Sequence, residues 1–217
     1  MDTAMDRKIR SEERLRQQGV PVDETLPVIE REGDVHLRNA EETAARSVIL
    51  YALQGVIFHD DPARVVRWVE KEGLWAQISP EEKPIFQLPV SSLDPAEKER
   101  QLNELESHPL TWRMEALWAL LWALGKAEKL GFPAEECDAP LVKECLPGLD
   151  EPVRPYLEEA RLRPVSEILD ELDWLRRLLW AGEQRKEGEP VPGGYEPAVA
   201  WQWHEALNWL INDQDWR

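Results

Sequence analysis

The chain has 217 residues, of which 42% are hydrophobic and 32% charged, a composition typical of globular proteins and unlike that of disordered ones. Its 43 acidic residues outnumber 26 basic ones, giving a net charge of −17. Such a chain repels nucleic acids and anionic membrane surfaces and attracts basic proteins or cationic small molecules. The composition therefore predicts no nucleic-acid partner and no membrane partner.

Cysteine use and the apolar segments predict a soluble cytoplasmic protein. Cys137 and Cys145 fit no zinc-binding spacing, so we expect two free thiols in a reducing compartment. The first residues, MDTAMDRKIR, are charged from the start and contain no apolar signal-peptide segment. The longest apolar run, residues 116–124, is far too short to cross a membrane.

The first 38 residues are predicted to form a helix followed by an extended segment. Within that segment, residues 25–30 (TLPVIE) and 33–38 (GDVHLR) are candidates for a short hairpin. No other stretch of the chain shows a convincing alternation of apolar and polar residues, so strands are not expected elsewhere.

Capping signals place the next helices. Asn39 with Glu42 three residues later is a capping-box arrangement, and the residues that follow are apolar at helical spacing. Asp61 precedes a proline and predicts a second helix start, with Gly73 as its stop. The order of cap, proline and glutamate recurs at Ser79 and Asp94.

The second half of the chain also predicts helices. A long, nearly all-apolar helix is expected over residues 110–130, followed by a looser proline-containing region over 132–163. Residues 165–188 predict another long helix, and the last helix should run from about 197 to 211. The fold class is therefore all-α, a single bundle-like domain (1–217) of about seven main helices. It comprises an N-terminal helix and extended segment (1–38) and a helical core (39–217).

Eleven tryptophans against three phenylalanines are the unusual feature of the composition. Because an indole so close to a chain end usually packs against the protein, we expect Trp216 to fold back onto the last helices. That would surround several indoles with polar groups, forming either a binding site or a core-locking network. The candidate polar cluster is Arg113, Glu115, His204, Asn208, Asp213 and Asp215, and the candidate aromatic wall is Trp112, Trp118, Trp122, Trp209 and Trp216.

Other motifs give no catalytic or metal site. The stretch HEALN has Asn208 where a zinc protease requires its second histidine, so that activity is excluded. The acidic stretch SEILDELDW could bind a hard cation, but a solvated helix face near a positive helix end explains it equally well. No dinucleotide-binding, P-loop or GxSxG motif occurs. We therefore predict no catalytic residue, no metal and no cofactor.

Five stretches in order resemble one bacterial family. They are RSEERLRQQGVPVDETLPVIE, LRNAEETAARSVIL, TWRMEALWALLWALG, SEILDELDWLRRLLWA and HEALNWLINDQDW, and they span nearly the whole chain. Together they resemble the family catalogued as domain of unknown function 4272. The resemblance implies a mostly helical soluble protein and brings no activity or catalytic residue with it.

Three functions remain open, one of which is a purely structural subunit of a larger assembly, which an exposed apolar patch would indicate. The acidic charge and the lack of catalytic motifs favour a protein-interaction module, such as the antidote or regulator of a basic partner. The alternative is an enzyme or a small-molecule or cation binder that uses a tryptophan-lined polar cleft.

Overall fold

The computed structural model describes residues 3–87, 94–97, 100, 108–186 and 189–216, and no strand occurs within these ranges. The predicted all-α fold is confirmed. Six of the helices have seven or more residues, close to the seven main helices expected. The helices are α1 (Ala4–Gln17), α2 (Ala40–Phe58), α3 (Pro62–Lys71), α4 (Lys83–Gln87), α5 (His108–Thr111), α6 (Arg113–Ala123), α7 (Ala139–Glu144), α8 (Arg154–Glu158), α9 (Val165–Glu183) and α10 (Pro197–Leu210).

The capping residues read from the sequence act as caps. The side chain of Asn39 accepts a hydrogen bond from the backbone N–H of Glu42 at 2.8 Å, and Asp61 caps α3 with Pro62 as its first residue. These side chains satisfy N–H groups that have no partner inside the helix. Asp94 accepts from the N–H of Glu97 at 2.9 Å, while most of the helix predicted after it lies outside the described residues.

The hairpin considered for the N-terminal segment is not formed. Residues 25–38 contain a single 3-10 turn, Glu32–Asp34, and no strand. Some backbone groups of this segment form hydrogen bonds with helices instead of with a second strand. The Glu30 carbonyl accepts from Arg7 Nη1 at 3.0 Å, and the Arg38 N–H donates to the Leu210 carbonyl at 2.9 Å.

The helix predicted over residues 110–130 is shorter than expected. It is divided into α5 and α6, and α6 ends at Ala123. Gly125 adopts a positive φ of 69°, which lets the Lys126 N–H bond back to the Leu121 carbonyl at 2.9 Å. This C-terminal motif needs a left-handed residue, which glycine supplies at little cost.

Helix α6 lies at the centre of the molecule. Its residues from 115 to 123 are buried except for Trp118, which is half-buried, as its apolar sequence predicts. It packs against α2 on one side and against α10 on the other, while α9 lies between α10 and α1. The short helices α7 and α8 occupy the proline-containing region, as predicted, and leave cavities beside the ends of α2 and α6.

Candidate functional site

The C-terminal residues fold back onto α2 and α6. Trp216 is 9% exposed, and its ring meets the ring of Trp209 edge-on, with centroids 5.1 Å apart. The guanidinium groups of Arg46 and Arg113 lie 4.3 and 5.4 Å from the centroid of the Trp216 ring. Contacts of this kind between cations and indoles are attractive, especially away from water. The Trp216 ring thus lies close to two arginines.

A buried ion pair supports this arrangement. The Arg46 guanidinium donates to the Glu82 carboxylate, and both side chains are almost wholly buried. Glu82 also accepts from the N–H of Ser79 at 3.2 Å, while its own N–H donates to the Ser79 hydroxyl at 3.4 Å. Burial lowers the pKa of Arg46, and the neighbouring Arg113 lowers it further, while Glu82 opposes both effects. The predicted helix start at Ser79 therefore also anchors a buried charge.

Three of the six predicted polar residues come together at this place. Arg113, Asn208 and Asp215 line one small cavity with Trp209 and Trp216. Its volume of about 40 Å³ leaves room for little more than a water molecule or two. The cavity is too small to hold an organic ligand.

The other three predicted polar residues lie elsewhere. Glu115 is buried on a different side of α6. The Nδ1 atom of His204 lies 3.3 Å from a carboxylate oxygen of Glu205, and the exposed Asp213 lies 3.9 Å from His36 Nε2. The six residues therefore do not form one cleft.

The predicted aromatic residues are also distributed over several places. The Trp118 indole N–H donates to the Leu130 carbonyl at 3.3 Å, and the Arg163 guanidinium lies 5.1 Å from the centroid of the Trp122 ring. Trp112 is separate from both, since it contributes to the walls of two larger cavities. One of these cavities has a volume of about 670 Å³ and is also lined by Tyr195 and Trp201.

The second of these cavities, which we call the Glu115 cavity, lies between α2, the start of α6 and the segment before and within α7. Its volume is about 660 Å³, and most of its surface is apolar. The volume and the lining are those of small-molecule sites in proteins. The residues that matter for its chemistry are Tyr51, Gln54, Phe58, Trp112, Glu115 and Cys137.

Glu115 supplies a buried carboxylate in the wall of this cavity. It is 2% exposed, and its two oxygens accept hydrogen bonds from the indole N–H of Trp203 at 3.0 Å and from the backbone N–H of Cys137 at 2.7 Å. Burial raises the pKa of Glu115, while these two hydrogen bonds lower it in part. A positive charge placed beside this carboxylate would offset the cost of its burial.

Gln54 supplies an acceptor without a donor. Its side chain is 4% exposed, and its Nε2 donates to the Leu110 carbonyl at 3.0 Å. That bond fixes the orientation of the amide, and the buried Oε1 finds no donor among the described residues. Sequence reasoning missed Gln54, although a glutamine between Leu53 and Val56 on the buried face of α2 was a usable signal.

Cys137 is not prepared for nucleophilic chemistry. Burial raises the pKa of its thiol, and the nearby Glu115 carboxylate raises it further. Because the thiolate is the reactive form, a thiol with a raised pKa is a poor nucleophile at neutral pH. Cys137 and Cys145 are both free, as the sequence predicts.

The acidic stretch of α9 pairs with α1. Asp170 accepts from Arg7 at 3.1 Å and from Arg10 at 2.8 Å, and Glu171 accepts from Arg14 at 2.7 Å. These carboxylates hold α1 in place. Within the part of the chain that the structure describes, no group of three or more histidine, cysteine or acidic side chains could hold a metal ion.

Comparison with known proteins gives a family and no activity. The family model described as domain of unknown function (DUF4272) matches residues 7–217. The chain belongs to the DUF4272 family. No curated protein and no solved structure matches this member of the family. Among the described residues, no helix is long and apolar enough to span a membrane.

Proposed function

We propose that this DUF4272 protein binds a small amphiphilic molecule in the Glu115 cavity, with an aromatic or aliphatic body and a cationic amine head. The observation that carries the proposal is one cavity of about 660 Å³, whose apolar wall contains a buried carboxylate and an amide oxygen that has no donor among the described residues. This is the predicted tryptophan-lined polar cleft at a different place: the cavity contains Glu115 and Trp112 and does not include the C-terminal cluster.

The chemistry of the wall selects the head group. Glu115 and Gln54 both present oxygen acceptors, and an ammonium group has three donors and no acceptor. The exposed carboxylate of Glu136 lies on the same wall, and one cation, Lys143, accompanies it. An ammonium head can donate to a carboxylate or an amide oxygen of this wall, whereas a carboxylate head would be repelled by Glu115.

The chemistry of the same wall favours binding over catalysis. Cys137 is the thiol at the cavity, and its raised pKa keeps it protonated at neutral pH. Both oxygens of Glu115 already accept hydrogen bonds from the protein, which suits a fixed counter-charge better than a proton shuttle. We therefore assign these residues to recognition and no residue to catalysis.

The test compares three ligands of similar shape. Calorimetric titration with 2-phenylethylamine, neutral 2-phenylethanol and anionic 3-phenylpropanoate should give the order amine, alcohol, acid, with the amine at least about tenfold tighter than the alcohol. Equal affinity for the amine and the alcohol, or preference for the acid, would contradict the proposal.

Two variants and a matched control assign the selectivity to the cavity. Glu115→Gln removes the charge at nearly constant volume and should bring the affinities for the amine and the alcohol close together. Gln54→Met removes the unpartnered oxygen and should weaken amine binding severalfold. The control, Glu13→Gln, changes an exposed carboxylate on α1 and should leave the order unchanged. An amine preference that survives in Glu115→Gln would refute the role of the carboxylate.

A second candidate function is the protein-interaction module that the sequence favours, as antidote or regulator of a basic partner. The net charge of −17 supports it, because such a charge accelerates association with a basic surface. Phe58 and Trp201, which are 67% and 49% exposed beside the two larger cavities, offer apolar contacts. Affinity capture with low-salt and high-salt washes, against an unrelated bait of equal charge, should retain a basic protein only at low salt. Equal retention by both baits would refute it.

A further inference from the structure

The folded-back C-terminal residues close a cavity of a different character, which we call the clamp cavity. It lies between the first turns of α2, residues 76–80 and the C-terminal turn, and its volume is about 340 Å³. It shares no lining residue with the Glu115 cavity. The charged and aromatic residues of its wall include Arg38, Glu42, Arg46, Asp215 and Trp216.

Two hydrogen-bond donors in its wall have no acceptor within the described part of the chain. Arg46 is 4% and Trp216 9% exposed, and the buried Nε of Arg46 and Nε1 of Trp216 find no partner among the described residues. Buried N–H groups are rarely left unpaired in folded proteins, because leaving them so costs the hydrogen bond that water would have supplied. Both atoms therefore indicate a missing acceptor.

The carboxylates in this region already serve other groups. Glu42 pairs with Arg38, and Glu82 lies behind the cavity with its side chain bonded to Arg46 and Ser79. Asp215 is exposed and contributes to the rim. Among the described residues, no side chain therefore supplies an acceptor to Arg46 Nε or Trp216 Nε1.

We propose that the clamp cavity binds a small organic anion through one carboxylate group, whose oxygens accept from Arg46 Nε and Trp216 Nε1. The Arg46 guanidinium lies 4.3 Å from the centroid of the Trp216 ring, and both residues line the clamp cavity, so the two donors belong to neighbouring side chains of one wall. Arginine prefers carboxylates because its donors are planar and permanently charged. The cavity volume lies at the lower end of the range for ligand sites, which limits the ligand to a small one.

The first test compares compact ligands on the full chain at constant ionic strength. The indole N–H signals are followed in ¹⁵N-correlation spectra during titration with succinate, neutral succinamide and inorganic phosphate. Succinate should shift the Trp216 indole signal, assigned from triple-resonance spectra of the unsubstituted protein, and succinamide should not. If succinamide shifts it equally, or if phosphate shifts it and succinate does not, the carboxylate assignment is overturned. The absence of any shift at saturating succinate also overturns the proposal.

Two matched variants assign the affinity to the indole N–H. Trp216→Phe keeps an aromatic ring beside the arginines and removes the donor, so succinate affinity should fall by about fivefold or more. Trp201→Phe removes an indole that is half-exposed and lines a different cavity, and should leave the affinity unchanged. Far-UV circular dichroism is used to check that both variants are folded. If Trp216→Phe does not fold, the shift of the Trp216 signal in the unsubstituted protein still tests the proposal.

Discussion

Replacing Glu115 with glutamine should destabilise the protein in a way that depends on pH. The carboxylate is 2% exposed, and its oxygens accept from Trp203 Nε1 at 3.0 Å and from the Cys137 N–H at 2.7 Å. A glutamine has one oxygen acceptor, so its amide N–H₂ must face one of these two donors. The substitution therefore removes one hydrogen bond to a charged acceptor and leaves a buried donor unpaired.

The size of the effect follows from those contacts. A hydrogen bond to a charged group contributes about 1.5–3 kcal/mol, and relief from burying the charge returns part of this, so the free energy of unfolding should fall by about 1–3 kcal/mol at neutral pH. For a chain of this length, each kcal/mol lowers Tm by roughly 2–4 °C. Calorimetric melting should therefore show a decrease of roughly 2–12 °C, while the exposed control Glu13→Gln should melt with the unsubstituted protein.

The pH dependence has a definite sign. Burial raises the pKa of Glu115 above its ordinary value of 4.5, so the folded state holds this proton at a pH where the unfolded state has lost it. Between those two pKa values, the contribution of Glu115 to stability falls as pH rises. The stability advantage of the unsubstituted protein over Glu115→Gln should therefore be larger at mildly acidic pH than at pH 8. Equal melting temperatures at every pH, or an advantage that grows with pH, would refute the reasoning.

Three further predictions concern other buried contacts. Arg177→Met leaves the Asp173 carboxylate, which is 1% exposed, without its cation, and should lower the free energy of unfolding in urea by about 3–5 kcal/mol; a loss below 1 kcal/mol would contradict a buried pair. A Cβ on Gly182 would lie 1.9 Å from the Tyr195 hydroxyl oxygen, so Gly182→Ala should cost about 1–3 kcal/mol, and adding Tyr195→Phe should recover part of it; additive losses would speak against the clash. Burial raises the pKa of the Cys137 thiol, so its reaction with a disulfide reagent should be slow at pH 7 and fast in urea, and rapid reaction in the folded state would be inconsistent with that burial.

The sequence predicted the helices well because helix formation is largely local. Asn39 and Asp61 were recognised as caps from residues within one turn of them, and they accept the expected N–H groups. The length of the central helix was overestimated from the sequence, because the apolar pattern continues past the glycine that ends α6. The sequence also suggested a hairpin over residues 25–38. In the structure, backbone groups of this segment bond to α1 and α10 instead, and these partners are not neighbours in the sequence.

The candidate site was anticipated in part. The placement of Trp216 against Trp209 followed from the expectation that a terminal indole packs onto the protein, and Arg113 meets it there. From the sequence, Glu115 was grouped with that cluster because Glu115 and Arg113 both lie near the start of the same helix. In the structure it contacts Trp203, 88 residues further along the chain, on a different side of α6.

The sequence by itself determined the all-α class, most helix starts, the free cysteines and the central position of α6, because periodicity, capping and composition act over short distances. Tertiary structure decided which polar groups meet. Arg46 and Glu82 are 36 residues apart and form a buried ion pair. Gln54 lines the same cavity as Glu115, and its side-chain oxygen has no donor among the described residues. Both outcomes depend on how helices separated in sequence pack around one another, and no local pattern specifies that packing.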